Sequence, residues 1–237
     1  MLFRSELARV AARPGASLVV SAYAYCPDAM VGLKTIAYEL AVQLPPAQTA
    51  DVFVPIGGGG LCTAIARGFA DLASAARQPG QTRVHGVQPT GNDTVVTAWR
   101  QGDRLARAVE SATRISGLAV PTDIDATRAL TAIRETGGSG VLVDDAEVWD
   151  AQRELARTEG LYVEPAGAAS VAGLDRAVQE GFRPAGPVVC LLTGAGFKDP
   201  LAAERLAAGA TADLIDMADI ERVVEQGLAG EGSSTAH

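Results

Sequence analysis

The stretch VPIGGGGLCTAIARGF, residues Val54–Phe69, decides how the rest of the chain is interpreted. A short apolar run, four consecutive glycines and a run of helix-forming residues predict a strand, a tight turn and a helix. The first N–H groups of a helix are unpaired and carry about half a positive charge, so this turn could bind an anion. Glycine-rich turns also exist for packing alone, although four glycines exceed what a turn requires.

Two common phosphate-binding loops do not match this stretch. The Walker A loop ends in Gly-Lys-Ser/Thr, and the stretch contains no lysine. The dinucleotide loop needs a third glycine at a fixed offset, where this chain has Cys62 or Thr63 depending on which glycine is taken first. A small phosphorylated ligand therefore remains the best candidate.

The sequence around the stretch predicts an α/β fold with a mostly parallel twisted sheet and helices on both faces. Short apolar segments alternate with helical patterns, as in parallel sheets. Ligands of such sheets bind at the carboxyl ends of the strands, where glycine turns fall at Gly57–Gly60 and Gly194–Gly196. The predicted strands are SLVVSAYAY (17–25), DVFVPI (51–56), TRVHGVQP (82–89), GVLVDD (140–145) and PVVCLLTG (187–194).

The composition excludes several classes of function. A net charge of -8 argues against nucleic acid as a partner, because phosphate contacts need clustered Lys and Arg. No apolar run reaches the length of a membrane span, and the N-terminus does not resemble a secretory signal. The three cysteines and two histidines have no metal-binding spacing, so we expect no metal site and reduced thiols in a cytoplasmic protein.

Several segments together resemble one family. They are VGLKTIAYEL (31–40), VFVPIGGGGLCTAIARGF (52–69), SGLAVPTDIDATRALTAIRETGG (116–138), EGLYVEPAGAASVAGL (159–174) and CLLTGAGFKDP (190–200). In this order they resemble the pyridoxal-phosphate enzymes of fold type II, the tryptophan synthase β family, from about residue 17 to 207. The four glycines are closer to threonine and serine ammonia-lyases. The later segments are closer to threonine synthases, although Ala195 stands where those enzymes have a histidine.

The resemblance implies a role for each matching residue. Thr193 matches the residue that hydrogen-bonds the pyridine nitrogen, and its neutral hydroxyl would leave that nitrogen largely unprotonated, which suits elimination and replacement. Gly117 matches a glycine whose backbone lies along the ring, although Ser116 replaces the usual aspartate. For Glu164 we expect only a carboxylate at the start of a helix. The residues matching the phosphate cup are Gly57, Gly58, Gly59 and Gly60.

The resemblance also implies that a catalytic group is absent. Pyridoxal chemistry uses a lysine that holds the cofactor as a Schiff base. The two lysines here, Lys34 and Lys198, match family lysines that do not have this role. The Schiff-base lysine of the family lies in a Ser-Phe-Lys-type motif upstream of the phosphate loop, and nothing before Gly57 matches it. We therefore expect that this chain contains no catalytic residue. We also expect that about the first third of the family chain is missing.

These observations give the expected organisation and function. Residues 1–28 are expected to be a remnant of the smaller domain with its return linker, 29–210 the larger domain that binds the cofactor phosphate, and 211–237 a C-terminal helix with a disordered tail. The expected activity is threonine synthase-like elimination or replacement on a hydroxyamino acid or its phosphate ester, with the chain inactive alone.

Two alternatives to a threonine synthase-like enzyme stay open. One is a fragment of a threonine/serine ammonia-lyase, and the other is a non-catalytic subunit that binds pyridoxal phosphate. The expected partners are a small amino-acid substrate and either a second copy of the chain or a complementing N-terminal chain. Neither nucleic acid nor a membrane is expected as a partner.

Overall fold

The computed structural model describes residues 13–15, 20–45, 48–75, 81–208 and 215–231. The chain divides into two compact units, Met1–Ala203 and Glu204–His237. The first unit contains the sheet and every residue singled out above. No helix in the described ranges is long and apolar enough to cross a membrane.

A four-stranded parallel sheet forms the centre of the first unit. The strands are β1 (Ala50–Pro55), β2 (Thr82–Pro89), β3 (Gly140–Val143) and β4 (Val188–Cys190), in the order β3-β2-β1-β4. In β1, Phe53 is paired with His85 of β2 on one side and with Cys190 of β4 on the other. Because all strands run in the same direction, their carboxyl ends lie at one edge, and the predicted parallel α/β sheet is confirmed.

Nine helices lie in the described ranges. The first two, at Pro27–Val31 and Thr35–Gln43, are joined by a short turn at Gly32–Lys34. The helices are α1 (Pro27–Val31), α2 (Thr35–Gln43), α3 (Gly60–Ser74), α4 (Val96–Arg100), α5 (Ala126–Glu135), α6 (Asp145–Thr158), α7 (Pro165–Gln179), α8 (Pro200–Ala207) and α9 (Ile220–Glu231).

Helices cover both faces of the sheet, as the alternating pattern predicted. Successive side chains of a strand point to opposite faces. Val52 and Val54 therefore pack with α3 and α5 on one face, while Phe53 packs with α6 and α7 on the other. Helix α7 approaches β2 closely, since a Cβ at Gly173 would collide with the side chain of Val87. This close packing explains the glycine at position 173.

One predicted strand is wrong where the structure describes it. Within SLVVSAYAY (17–25), residues 20–25 form bends and turns instead of a strand. The amides of Tyr23 and Ala24 donate to the carboxylate of Asp125 at 2.7 and 3.1 Å, so they are not available to a neighbouring strand. Most of the expected remnant of the smaller domain before residue 20, and the last six residues of the predicted tail, 232–237, lie outside the described residues.

Candidate functional site

The candidate site lies at the carboxyl edge of the sheet, between two neighbouring strands. Residues 57–60 follow β1, and Thr193 and Gly194 follow β4, which is hydrogen-bonded to β1. The pairing continues past β4, because the N–H of Leu191 donates to the carbonyl of Phe53 at 3.1 Å. The glycine loop and Thr193 are therefore adjacent, in the usual position for a ligand of a parallel sheet.

The four glycines of the loop are not equivalent. Backbone packing explains two of them, because a Cβ would lie 2.7 Å from the Gly117 carbonyl at Gly57 and 2.5 Å from the Asp125 carbonyl at Gly59; at Gly60 a Cβ would lie 2.5 Å from the terminal methyl of the Met30 side chain. Gly59 also has a φ of 99°, which favours glycine. At Gly58 the nearest atom would be 3.8 Å away, on Val120, and φ lies outside the left-handed region. Close approach of a ligand is the remaining physical reason for glycine at that position.

The loop leads directly into an uncapped helix. The first amide of α3 to bond within the helix is that of Thr63, which donates to the Gly59 carbonyl at 3.1 Å. The amides of Gly60, Leu61 and Cys62 precede it, and no described side chain caps this helix end. Three N–H groups and the positive end of a 15-residue helix therefore lie beside the open glycine.

Asp125 holds this loop in place, and the sequence analysis missed it. Its carboxylate is 1% exposed and accepts the two amides of Tyr23 and Ala24, while its own N–H donates to the Gly58 carbonyl at 2.9 Å. One residue thus joins the segment before α1, the glycine loop and the start of α5. From the sequence, Asp125 is indistinguishable from an N-cap of α5, and its side chain does not cap that helix.

The first turn of α7 brings Gly117 and Thr193 to the loop. Gly117 is exposed in the turn Ser116–Leu118, and a Cβ on it would lie 2.8 Å from Ala166. The next residue of α7, Gly167, lies against the other end of the site, since its Cβ would be 3.1 Å from the Thr193 amide. Thr193 is exposed, and its hydroxyl makes no hydrogen bond with any residue in the described ranges. That hydroxyl is therefore available to a ligand.

Comparison with known proteins identifies the family. The family pattern described as pyridoxal-phosphate dependent enzyme matches residues 4–194, which is most of the chain. The chain belongs to this family. Its fold is that of the type II branch, as the sequence motifs predicted, and the cofactor of the family is pyridoxal phosphate.

Several curated relatives are threonine synthases. The chain is 37% identical to the threonine synthase of Methanosarcina acetivorans over 73% of its own length and 44% of the relative. It is 33% identical to that of Methanocaldococcus jannaschii over 84% of its length and 50% of the relative. The chain thus spans about half the length of the curated relatives it matches.

A solved structure supports the fold. The processed form of threonine deaminase isoform 2 from Solanum lycopersicum is similar to this chain with a TM-score of 0.60 and 22% identity. The match covers 78% of this chain and 51% of the other.

Both lysines of this family member are paired with carboxylates. Lys34 lies 2.8 Å from Asp71 between α2 and α3, and this hydrogen bond raises the pKa of Lys34 and lowers that of Asp71. Lys198 lies 3.2 Å from Glu164 beside the Thr193 turn. Glu164 lies at the N-cap position of α7, the start of a helix as expected, but its side chain does not cap the helix and pairs with Lys198 instead.

Other reactive groups of the described residues do not add chemistry to this site. Cys62 lies in the first turn of α3, and complete burial raises its pKa to about 12, so it stays a neutral thiol. No group of His, Cys, Asp and Glu in the described ranges could hold a metal ion. A cavity of about 770 Å³ lies between α3 and α5 and extends to Thr82 at the start of β2, which is the opposite edge of the sheet.

Proposed function

We propose that this chain is the cofactor-binding part of a threonine synthase-like enzyme that acts on a hydroxyamino acid or its phosphate ester. The observation that carries the proposal is the open position at Gly58, beside three uncapped helix amides. Glycine there has no packing or conformational purpose, and an anion at a helix N-terminus supplies one. The threonine synthases among the relatives support the reaction class.

Each candidate residue has a proposed role toward the cofactor. Gly57, Gly58, Gly59 and Gly60 form the cup for its phosphate, with Gly58 as the closest approach. The Gly117 peptide lies along the ring, and the free hydroxyl of Thr193 is the partner of the pyridine nitrogen. When bound, pyridoxal phosphate supplies an electron sink that assists loss of the α-proton and elimination.

We also propose that the chain alone does not supply the covalent amine. Lys34 is held by Asp71 between two helices, and Lys198 is held by Glu164. Neither matches the amine of the family. In this proposal residues 29–210 form the larger domain, residues 1–28 are a remnant of the smaller one with its return linker, and 211–237 form a C-terminal helix and tail. A complementing N-terminal chain or a second copy would complete the site.

A second candidate function follows from the two paired lysines. If no other polypeptide supplies an amine, the chain is a non-catalytic subunit that holds pyridoxal phosphate without a covalent bond. An ammonia-lyase-like fragment would bind the cofactor in the same way, and the two enzyme classes differ only once the site is complete.

Titration of the purified chain with pyridoxal phosphate tests the phosphate cup. We expect saturable binding by absorbance and fluorescence, and weaker binding of pyridoxal, which lacks the phosphate. Gly58→Ala should weaken pyridoxal phosphate binding at least about tenfold, because a methyl group would occupy the approach to the helix amides. The matched control is Gly32→Ala, where a Cβ meets nothing within 4 Å, and it should bind normally.

Borohydride reduction separates the remaining alternatives. If the cofactor binds but borohydride does not fix it to the protein, the result supports the proposal that this chain supplies no amine for a Schiff base. Cofactor fixed to Lys34 or Lys198 would contradict it. Equal affinities of the Gly58→Ala and Gly32→Ala variants would refute the phosphate cup itself.

A further inference from the structure

The carboxylate of Glu164 is held against the turn that carries Thr193. The N–H of Glu164 donates to the Gly194 carbonyl at 2.9 Å, and Val163 forms an antiparallel bridge with Ala195. A Cβ at Gly194 would lie 2.1 Å from a carboxylate oxygen of Glu164, so the carboxylate occupies the space beside this glycine. The side chain is only 17% exposed. The mostly buried carboxylate of Glu164 therefore lies against Gly194, the residue that follows Thr193, which is the proposed partner of the cofactor nitrogen.

Lys198 balances this charge. Its Nζ lies 3.3 and 3.2 Å from the two oxygens of Glu164. The other carboxylate of the turn, Asp199, instead accepts the N–H of Ala202 in α8 at 3.1 Å. Tyr162 is the neighbouring titratable side chain, and its ring packs against Gly196. Within the described residues, Lys198 is the only cation paired with Glu164.

We propose that Lys198 is a positioning residue that neutralises Glu164 and thereby keeps the ring nitrogen of the cofactor at Thr193 unprotonated. This inference rests on the proposed function. A nearby uncompensated carboxylate raises the pKa of a pyridine nitrogen, and the effect is larger where water is partly excluded. A hydroxyl that donates to the neutral nitrogen favours the unprotonated form. Pairing with Lys198 offsets the tendency of the Glu164 charge to favour protonation of the ring nitrogen. The unprotonated ring is a mild electron sink, which suits elimination and replacement.

Nitrogen-15 NMR of the bound cofactor tests this role without any turnover. The chain is loaded with pyridoxal phosphate labelled at the ring nitrogen, and the nitrogen shift is followed from pH 6 to 9. In Lys198→Met, we expect the ratio of protonated to unprotonated nitrogen to rise roughly tenfold, which is one pKa unit. The double variant Glu164→Gln/Lys198→Met should return to the wild-type ratio, and Lys198→Arg should keep it.

The outcomes distinguish this inference from the proposed function. If the wild-type chain binds the cofactor but Lys198→Met leaves the nitrogen shift unchanged, the inference is wrong and the proposed function stands. The same conclusion follows if the double variant behaves like Lys198→Met, because Glu164 would not be the source of the effect. If the wild-type chain does not bind the labelled cofactor, both proposals fail together.

Discussion

At the scale of single residues, the neighbouring glycines Gly58 and Gly59 differ in the physical reason for their lack of a side chain. Gly59 needs its positive φ and has the Asp125 carbonyl where a Cβ would be, whereas Gly58 has space around it. We expect Gly59→Ala to lower the free energy of unfolding by about 2 kcal/mol or more. Gly58→Ala should leave stability within about 1 kcal/mol of wild type or raise it slightly. Urea denaturation of both variants measures the difference.

An equal loss of stability in the two variants would contradict the distinction between a packed and an open glycine. Together with the cofactor titration, this comparison separates folding from binding at adjacent positions. A variant that is stable but binds weakly has lost the ligand contact and not the fold.

The sequence treats these four glycines alike, which shows where prediction from the sequence ends at this scale. It indicated that the loop follows a strand and begins a helix, because that depends on local pattern. It could not separate Gly58 from Gly59, because the atoms that crowd Gly59 belong to Asp125, far along the chain. Asp125 itself was missed for the same reason, since its partners Tyr23 and Ala24 lie about a hundred residues away.

At the scale of elements, a buried polar network fixes the start of the sheet. The carboxylate of Asp51 in β1 accepts from Arg83 at 2.7 Å and lies 2.9 Å from Nε2 of His85, both in β2. The N–H of Ser139, just before β3, donates to Nδ1 of His85 at 3.1 Å. His85 is therefore neutral with its proton on Nε2, and it connects β1 and β2 with the residue that precedes β3.

This network predicts how stability depends on pH. Burial lowers the pKa of His85 below 6.5, although the hydrogen bond to Asp51 partly opposes the shift. Between the lowered pKa and 6.5 the unfolded chain therefore binds a proton that the folded chain does not. The free energy of unfolding should fall as the pH drops through 6.5 and level off below the folded pKa. Urea midpoints at pH 7.5, 6.5 and 5.5 measure this slope.

The control for this prediction is His85→Gln, which stays neutral at every pH. Its free energy of unfolding should change less between pH 7.5 and 5.5 than that of the wild type. The same slope in both proteins would show that other groups cause the pH dependence.

The elements were predicted well wherever the pattern was local. Both TRVHGVQP as a strand and the helix that follows the four glycines are confirmed, because a short buried strand and a helix starting at a glycine turn have local sequence signals. The segment at 20–25 was predicted as a strand from the same kind of pattern, but the amides of Tyr23 and Ala24 donate hydrogen bonds to the distant carboxylate of Asp125. Likewise, PVVCLLTG forms regular strand only at Val188–Cys190, and the order of the strands in the sheet is not encoded in any local pattern.

At the scale of the whole molecule, three large exposed apolar side chains lie on segments next to the Thr193 turn of the candidate site. Phe197 is 79% exposed beside Lys198, and Leu161 and Tyr162 on the neighbouring segment are also exposed. The bridge between Val163 and Ala195 places these two segments side by side, so the exposed groups are neighbours. An apolar surface of this kind next to a ligand site is typical of a surface that another polypeptide covers.

We therefore expect the chain to self-associate unless a complementing chain covers this face. Phe197→Ser should shift sedimentation profiles toward the monomer, because it removes the most exposed apolar group next to the site. The control is Val42→Ser on α2, where a side chain that is 86% exposed lies far along the chain from the site residues and should leave association unchanged. A wild-type chain that sediments as a monomer at every concentration and unfolds in one sharp transition would contradict this expectation. If Val42→Ser shifts the profile and Phe197→Ser does not, the associating surface is instead the one formed by α2.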